Sequence, residues 1–333
     1  MKKSTLILLL GALVIAFIAD LCLGTVYIKP QTIWNVLTGV NTSHVDSYII
    51  LQLRLPRAVM AIIAGAGLAV AGLLMQTLFR NALAGPFVLG ISSGAGLGVA
   101  LAVMGSTALG IASLSAIGLV IPSIIGSLLV LILIALLSLR IKDTMGLLIV
   151  GIMIGSLSSA IVGILSYMST SDELKRYIFW SLGSLGNVSW DAIGLLSLIF
   201  CIAIVLLLYV IKPLNTLLLG ESYARSLGIN ILKTRWILII ITSLLAGSIT
   251  AFAGPIAFVG LAVPHISRLL LPTINHKILI PVSMLVGAIL LLSCDMIAQL
   301  PFSNLSLPIN AVTSLLGAPL VIWLILKKRN LHF

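Results

Sequence analysis

The sequence predicts an all-α integral membrane protein with about ten transmembrane helices and both termini in the cytoplasm. Three observations carry this. Of 333 residues, 60% are hydrophobic and 8% are charged, whereas a soluble globular chain carries about 25% charged residues. The apolar residues fall into successive runs of about 20, the length a helix needs to cross a bilayer. The 19 Lys and Arg residues, which set a net charge of +11, collect at the ends of those runs and not in one patch. They therefore read as topology signals and not as a nucleic-acid surface. Residues 1–333 are expected to form one polytopic transmembrane domain.

The elements follow in order. Lys2 and Lys3 precede an apolar stretch that imitates a signal peptide. The stretch runs on to about Tyr27, and no small-x-small cleavage site closes it, so the first helix is expected over about 5–27 with its N-terminus inside. A more polar segment, 28–56, follows. The second helix, about 57–79, carries Gly65, Gly67, Ala69, Ala71 and Gly72, small residues that let helices approach closely. Further spans are expected at about 87–105, 114–139, 145–168, 191–211, 234–252, 255–271, 278–299 and 310–326. A polar stretch at 169–190, with Asp172, Glu173, Lys175 and Arg176, is expected outside the membrane with a short helix of its own. This arrangement puts fourteen of the 19 basic residues on the inner side and leaves Lys29, Arg54, Arg57, Lys175 and Arg176 outside, which is the asymmetry that the positive-inside rule demands.

Composition also narrows the chemistry. Cys22, Cys201 and Cys294 lie far apart inside apolar runs, and the four histidines have no ligand spacing, so neither a disulfide frame nor a metal site is indicated. Few ionisable groups lie well inside the spans; Asp20 and Asp295 are the acidic ones, both near outer ends. An ion-driven carrier usually buries ionisable groups near mid-membrane, although Ser, Thr and backbone groups can serve. No HExxH and no usable Ser/His/Asp set is present, and no GxxxxGK[ST] nucleotide loop. The nearest miss, Gly105 to Gly110, lacks the lysine. The chain is not expected to be an enzyme, and ATP-driven transport would require a separate ATPase.

Leu214 to Asn230, LNTLLLGESYARSLGIN, is a polar island between two apolar spans. Glu221 and Arg225 are four apart and share a face if the segment is helical. Gly220 and Gly228 punctuate the segment and permit sharp turns. Pro213 upstream, with Lys233 and Arg235 downstream, marks where the chain leaves and re-enters apolar surroundings. Taken alone, the island is either a docking element or a solvated loop with one ion pair.

Five segments resemble the permease subunits of ABC importers for iron–siderophores, haem and cobalamin. They are LRLPR at 53–57, QTLFRNALAGPFVLGISSGAGLG at 76–98, GESYARSLG at 220–228, GPIAFVGLAVPHISR at 254–268 and NAVTSLLGAPLVIWLI at 310–325. Together, in this order, they span the chain from about residue 50 to the C-terminus. The resemblance implies a permease dimer, a homodimer by expectation, with two cytoplasmic ATPase subunits and an extracytoplasmic binding protein. ATP and Mg would be held by the ATPase and no cofactor by this chain. The expected cargo is an iron(III)–siderophore, with haem or cobalamin as alternatives. An ion-gradient-driven carrier is the alternative of a different class.

The resemblance also assigns residues. Gly220, Glu221, Ala224, Arg225, Leu227 and Gly228 match the family's cytoplasmic coupling helices. Arg54 and Arg57 match outward arginines that dock the binding protein, a task suited to the planar guanidinium fork; the alternative is interfacial anchoring. Gln299 stands where some relatives have a further arginine. Asn81, Leu83, Thr144 and Ile149 match the cytoplasmic gate, and Ala82 replaces the family's usual proline. Gly183 and Gly186 are candidate outer hinges. Gly151, Gly155, Ser158, Ser159 and Gly163, with Gly317, give the fifth and tenth spans small faces toward the dimer axis. His265 and Arg268 are expected to cap or snorkel at the inner face.

Overall fold

The computed structural model describes residues 3–40, 43–105, 117–141, 144–186, 188–301 and 305–327. Lys2, Lys142, Lys328 and Arg329, four of the basic residues assigned to the inner side, lie outside the described residues. Among the described residues the chain is helical and contains no strand. Helix α1 (Lys3–Cys22) is followed by two short helices, α2 (Pro30–Leu37) and α3 (His44–Tyr48), then a π-helical turn (Ile49–Arg54) that leads directly into α4 (Leu55–Phe79). Next come α5 (Ile91–Met104), α6 (Val120–Arg140), α7 (Thr144–Met168), the short α8 (Ser171–Ser181) and α9 (Trp190–Leu217). The six-residue α10 (Glu221–Ser226) precedes α11 (Ile231–Ala253), α12 (Val259–Leu270), α13 (His276–Ala298) and α14 (Ile309–Lys327).

The hub is α4. In its apolar stretch 83% of residues are buried, against 17% in α7. Helices α9, α11, α12 and α13 pack around α4; α5 packs on α6 and α7; α1 leans on α13. Small residues make this possible. A Cβ on Gly65 would strike the Gly287 carbonyl of α13, and one on Gly72 would strike the Gly260 carbonyl of α12. Gly94 of α5 and Gly126 of α6 meet in the same way. Where backbones touch, dispersion and backbone contact replace the hydrophobic drive that lipid cannot supply.

Among the described residues, seven helices are long and apolar enough to cross a membrane, counting the continuous run His44–Phe79 as one; α5, α12 and the Ile309–Trp323 stretch of α14 are apolar but shorter. Of the ten expected spans, seven fall on helices long enough to cross and three on the shorter apolar stretches. At 1.5 Å per residue, the twelve residues of α12 reach roughly 18 Å, well under the roughly 30 Å of hydrocarbon. The cause is upstream. Gly254 (φ 74) and Phe258 (φ 67) take left-handed conformations that no helix continues through.

Two boundaries also differ from expectation. The second helix begins well before residue 57. Ser43 caps α3, its Oγ accepting from Asp46 N at 3.1 Å, and the helix then widens into the π turn just before Pro56, whose missing N–H cannot close a regular turn. Conversely, α9 runs through Lys212 and Pro213 to Leu217, so Pro213 lies inside the helix and the island begins at residue 218, not 214.

Candidate functional site

At the end of α4 that carries Phe79, the segment 218–228 folds back on the bundle. Gly220 (φ 117) makes the entry turn into α10. The exit is a Schellman motif: Gly228 N donates to Arg225 O at 2.9 Å and Ile229 N to Ala224 O at 3.0 Å, with Gly228 at φ 77. Ala224 is fully buried, so of the six candidate docking residues it faces the bundle and not a partner. Glu221 bridges two arginines. Arg235 of α11, almost wholly buried, lies 3.4 Å from one carboxylate oxygen, and Arg225 lies 3.9 Å from the other. The closer pair spans fourteen residues and ties α10 to α11; Arg235 also reaches the Ile141 carbonyl at 3.4 Å. The exposed side of α10 carries Tyr223, the Arg225 guanidinium, Ser222 and Ser226, with Leu227 and Leu219 beside them.

A cleft of about 620 Å³ lies between α10, the end of α4 and the start of α7, lined by Arg80, Met145, Glu221 and Tyr223 among others. Of the gate candidates, Asn81 shapes its own turn, its Oδ1 accepting from Leu83 N at 2.9 Å. Leu83 and Ile149 are about half exposed. Thr144 opens α7, and its side chain lies outside the described residues.

The opposite end of α4 holds a different site. Arg54 is buried: Nη1 donates to the Leu21 carbonyl at 2.5 Å and Nη2 to the Val26 carbonyl. Arg57 grips Asp295 in two-point fashion, with Nε and Nη2 contacts of 2.8 to 3.0 Å. Asp295 is fully buried. Gln299 spans the two carboxylates, its Nε2 donating to Asp295 Oδ2 at 2.9 Å and to Asp20 Oδ1 at 3.3 Å. The two arginines expected to reach outward are therefore turned inward. Asp295 of α13, the counter-charge of Arg57, is fully buried and needs a cation nearby. Gln299, in the place of an arginine, serves that interior network.

Gly183 (φ 74) is buried at a three-way junction. A Cβ there would lie 3.1 to 3.2 Å from Ala253 O, Ile309 and Pro255 O, and Ser184 N donates to Ala253 O at 2.8 Å. Gly186 lies against Arg57. On α7, Ser158 is buried whereas Ser159 and Gly163 are exposed. Gly155 lies beside Ser93, and Gly317 of α14 packs on Phe258. His265 and Arg268 do not snorkel. His265 is buried and bonds the Leu261 carbonyl at 3.0 Å, and Arg268 Nη1 donates to Gln76 Oε1 at 2.7 Å, joining α12 to α4.

Sequence reasoning missed Arg80, Arg235, Asn215 and His276, all of which organise the α10 end. The only signal was that each is a polar residue flanking an apolar run, a position that topology rules explain without reference to partners.

A hub helix packed through glycines, long apolar helices around it, and an anchored polar helix at one end define a multi-pass membrane permease. The chain belongs to the FecCD transport family, whose pattern matches residues 12–327. It is 37% identical over 322 residues to the hemin transport system permease HmuU of Yersinia pestis, covering 97% of this chain and 95% of that one. It is 38% identical over 318 residues to the vitamin B12 import system permease BtuC of Klebsiella pneumoniae, covering 96% and 92%. A solved inward-facing chain, described as a metal-chelate type ABC transporter, superposes with TM-score 0.86 at 33% identity, covering 98% of this chain and all of that one. PsaBC from Streptococcus pneumoniae, solved with a Fab, shares the fold alone, with TM-score 0.52 at 18% identity over 88% of this chain and 95% of that one. The chain is a multi-pass permease of the bacterial cytoplasmic membrane.

Proposed function

We propose that this chain forms the translocation pathway of a binding-protein-dependent ABC importer, as one half of a permease homodimer. Its partners would be two cytoplasmic ATPase subunits, which hold ATP and Mg, and an extracytoplasmic binding protein. The reading keeps ten membrane passages, counting the three short helices with the loops that extend them, and both termini inside. The observation that carries it is α10. It is fastened inward by Glu221, Arg235 and Ala224, yet it displays Tyr223, Arg225 and Leu227 to the surroundings. Exposed aromatic and aliphatic groups beside an arginine are the composition of an interface core.

The remaining assignments follow from that reading. Asn81, Leu83, Thr144 and Ile149 would form the cytoplasmic gate at the mouth of the cleft. The helix α8 would move with the 253–257 loop about the Gly183 and Gly186 junction. Arg54 and Arg57 would set the shape of the outer docking surface through Asp295 and Asp20; direct binding-protein contact by Arg57 would need it to leave Asp295. The cargo is a large metal chelate. The named relatives favour haem or a cobalamin, with an iron(III)–siderophore as the third member of that class. A cargo of this size suits the exposed small residues Ser159 and Gly163 of α7, which offer little to stick to.

The test is reconstitution with the candidate ATPase and binding protein, reading ATP hydrolysis and ATPase co-purification for Arg225→Glu beside the unaltered chain. Charge reversal on the exposed face should abolish stimulation and association while the permease stays monodisperse. Undiminished stimulation would remove α10 from the interface. Competition among haemin, cyanocobalamin and a ferric siderophore for the binding protein then ranks the cargo.

A further inference from the structure

The last turns of α4 and α9 are fastened twice. Arg80 Nη2 donates directly to the Leu217 carbonyl at 2.7 Å. One turn earlier, Thr77 Oγ1 meets His276 Nε2 at 2.9 Å, and His276 Nδ1 meets Asn215 Oδ1 at 2.8 Å. Asn215 and Leu217 stand immediately before the 218–228 segment. Arg80 stands immediately before Asn81 and Leu83. The two segments that ATP-driven transport would have to link are therefore joined at their roots.

Arg80 is also strained. It caps α4 at φ 46, ψ 36, one of three non-glycine residues with positive φ among the described residues. Helices that end this way usually place glycine there, because it adopts the left-handed region without steric cost. A long side chain persists in such a conformation only where surrounding contacts impose it, and such outliers cluster at switch regions. The guanidinium supplies what glycine would not. It anchors on Leu217 and walls both the 620 Å³ cleft and a pocket of about 10 Å³ that Glu221 and Arg235 also line. A Cβ on Gly220 would lie 3.8 Å from its Nη2.

We propose that Arg80 is a positioning residue that couples the 218–228 segment to the loop after α4: held on the Leu217 carbonyl and set against Gly220, it makes Asn81 and Leu83 follow the displacement of α10. The proposal rests on the importer reading above and names the link within this chain that the reading leaves open.

The test uses the full chain with its ATPase in nanodiscs, in a Cys201→Ser background because Cys201 is the exposed native thiol. Leu83→Cys is labelled with a maleimide, with and without ATP and vanadate. With Arg80 intact, trapping the nucleotide should change the labelling rate by about fivefold or more, the lower range of allosteric coupling. Arg80→Gly removes the side chain while suiting the left-handed backbone. The ratio should then fall to near one while the ATPase still co-purifies. Arg80→Lys, which keeps a donor, should restore part of it. If Arg80→Gly yields no folded protein, Arg80→Asn takes its place, since asparagine also tolerates this conformation. A ratio unchanged by either variant, or no response at position 83 with Arg80 intact, overturns the proposal. If the ATPase fails to co-purify even with the unaltered chain, the importer reading falls and the coupling falls with it.

Discussion

The two ends of α4 are held by opposite means. At the Arg57 end, charge meets charge: a buried carboxylate is gripped at two points by a guanidinium, and a glutamine bridges it to a second carboxylate. At the Arg80 end, a guanidinium donates to a carbonyl, a hydroxyl, an imidazole and an amide share hydrogen bonds, and the ion-paired Glu221 is about one-third exposed, all around an open cleft. Separating a buried ion pair strands its charges, which costs several kcal/mol. A hydrogen bond beside a cleft is worth about 1 kcal/mol net and can be traded for water. The first end resists rearrangement, and the second permits it.

The largest expected effect therefore comes from the charged end. Asp295→Ala should destabilise the protein by up to about 3–5 kcal/mol, because it leaves the part-buried Arg57 without its fully buried partner; the temperature at which monodisperse protein halves in detergent reads this. Replacing both partners, Arg57→Met with Asp295→Leu, should recover most of the loss, since the penalty lies in the orphaned charge. If the double variant is as unstable as the single one, the charged end is not the clamp described here. Gln299→Leu should cost about 1–3 kcal/mol on the same assay by leaving carboxylate oxygens unsatisfied. At the other end, Thr77→Val should cost about 1–3 kcal/mol, because it leaves the buried His276 Nε2 without its hydroxyl partner, and an effect equal to that of Asp295→Ala would erase the contrast. The smallest global effect belongs to Glu221→Gln. Its carboxylate is about one-third exposed, so the loss should stay below about 1 kcal/mol. Hydrogen exchange over 221–226 should nevertheless rise as the tie to Arg235 loosens.

Much of the fold was legible because apolar run length and small-residue spacing are local signals. The helices α7, α11 and α13 start and stop within a few residues of expectation. Gly220 and Gly228, expected as turns, do bracket α10; that the segment between them is helical was implied by the family resemblance and not by its residues alone. What was illegible depends on distant partners. Nothing around Arg54 and Arg57 announces that Asp295, 238 positions away, will turn Arg57 inward. A basic residue at the end of an apolar run reads the same whether it faces lipid headgroups or a buried acid, so pattern alone marks Arg80 and Arg235 only as topology signals. The shortness of α12 was hidden because Phe258 adopts a positive φ, a conformation that no local pattern assigns to phenylalanine. Ala224 looked like part of an interface because a small residue gives no sign of which way its helix will be pressed.

The glycine contacts of α4 have a mechanical consequence. Gly65 lies against Gly287, and Gly72 against Gly260, with carbonyls where side chains would otherwise stand. They act as meshed teeth. Sliding α4 by one residue along α13 or α12 would drive a Cβ into a carbonyl, and close-packed interiors do not yield to that continuously. These three helices can shift only as one slab, with no shear plane inside it. Any alternation of access must be carried by helices outside the slab, and α7, the least buried of the long helices, is the one with the most freedom to swing.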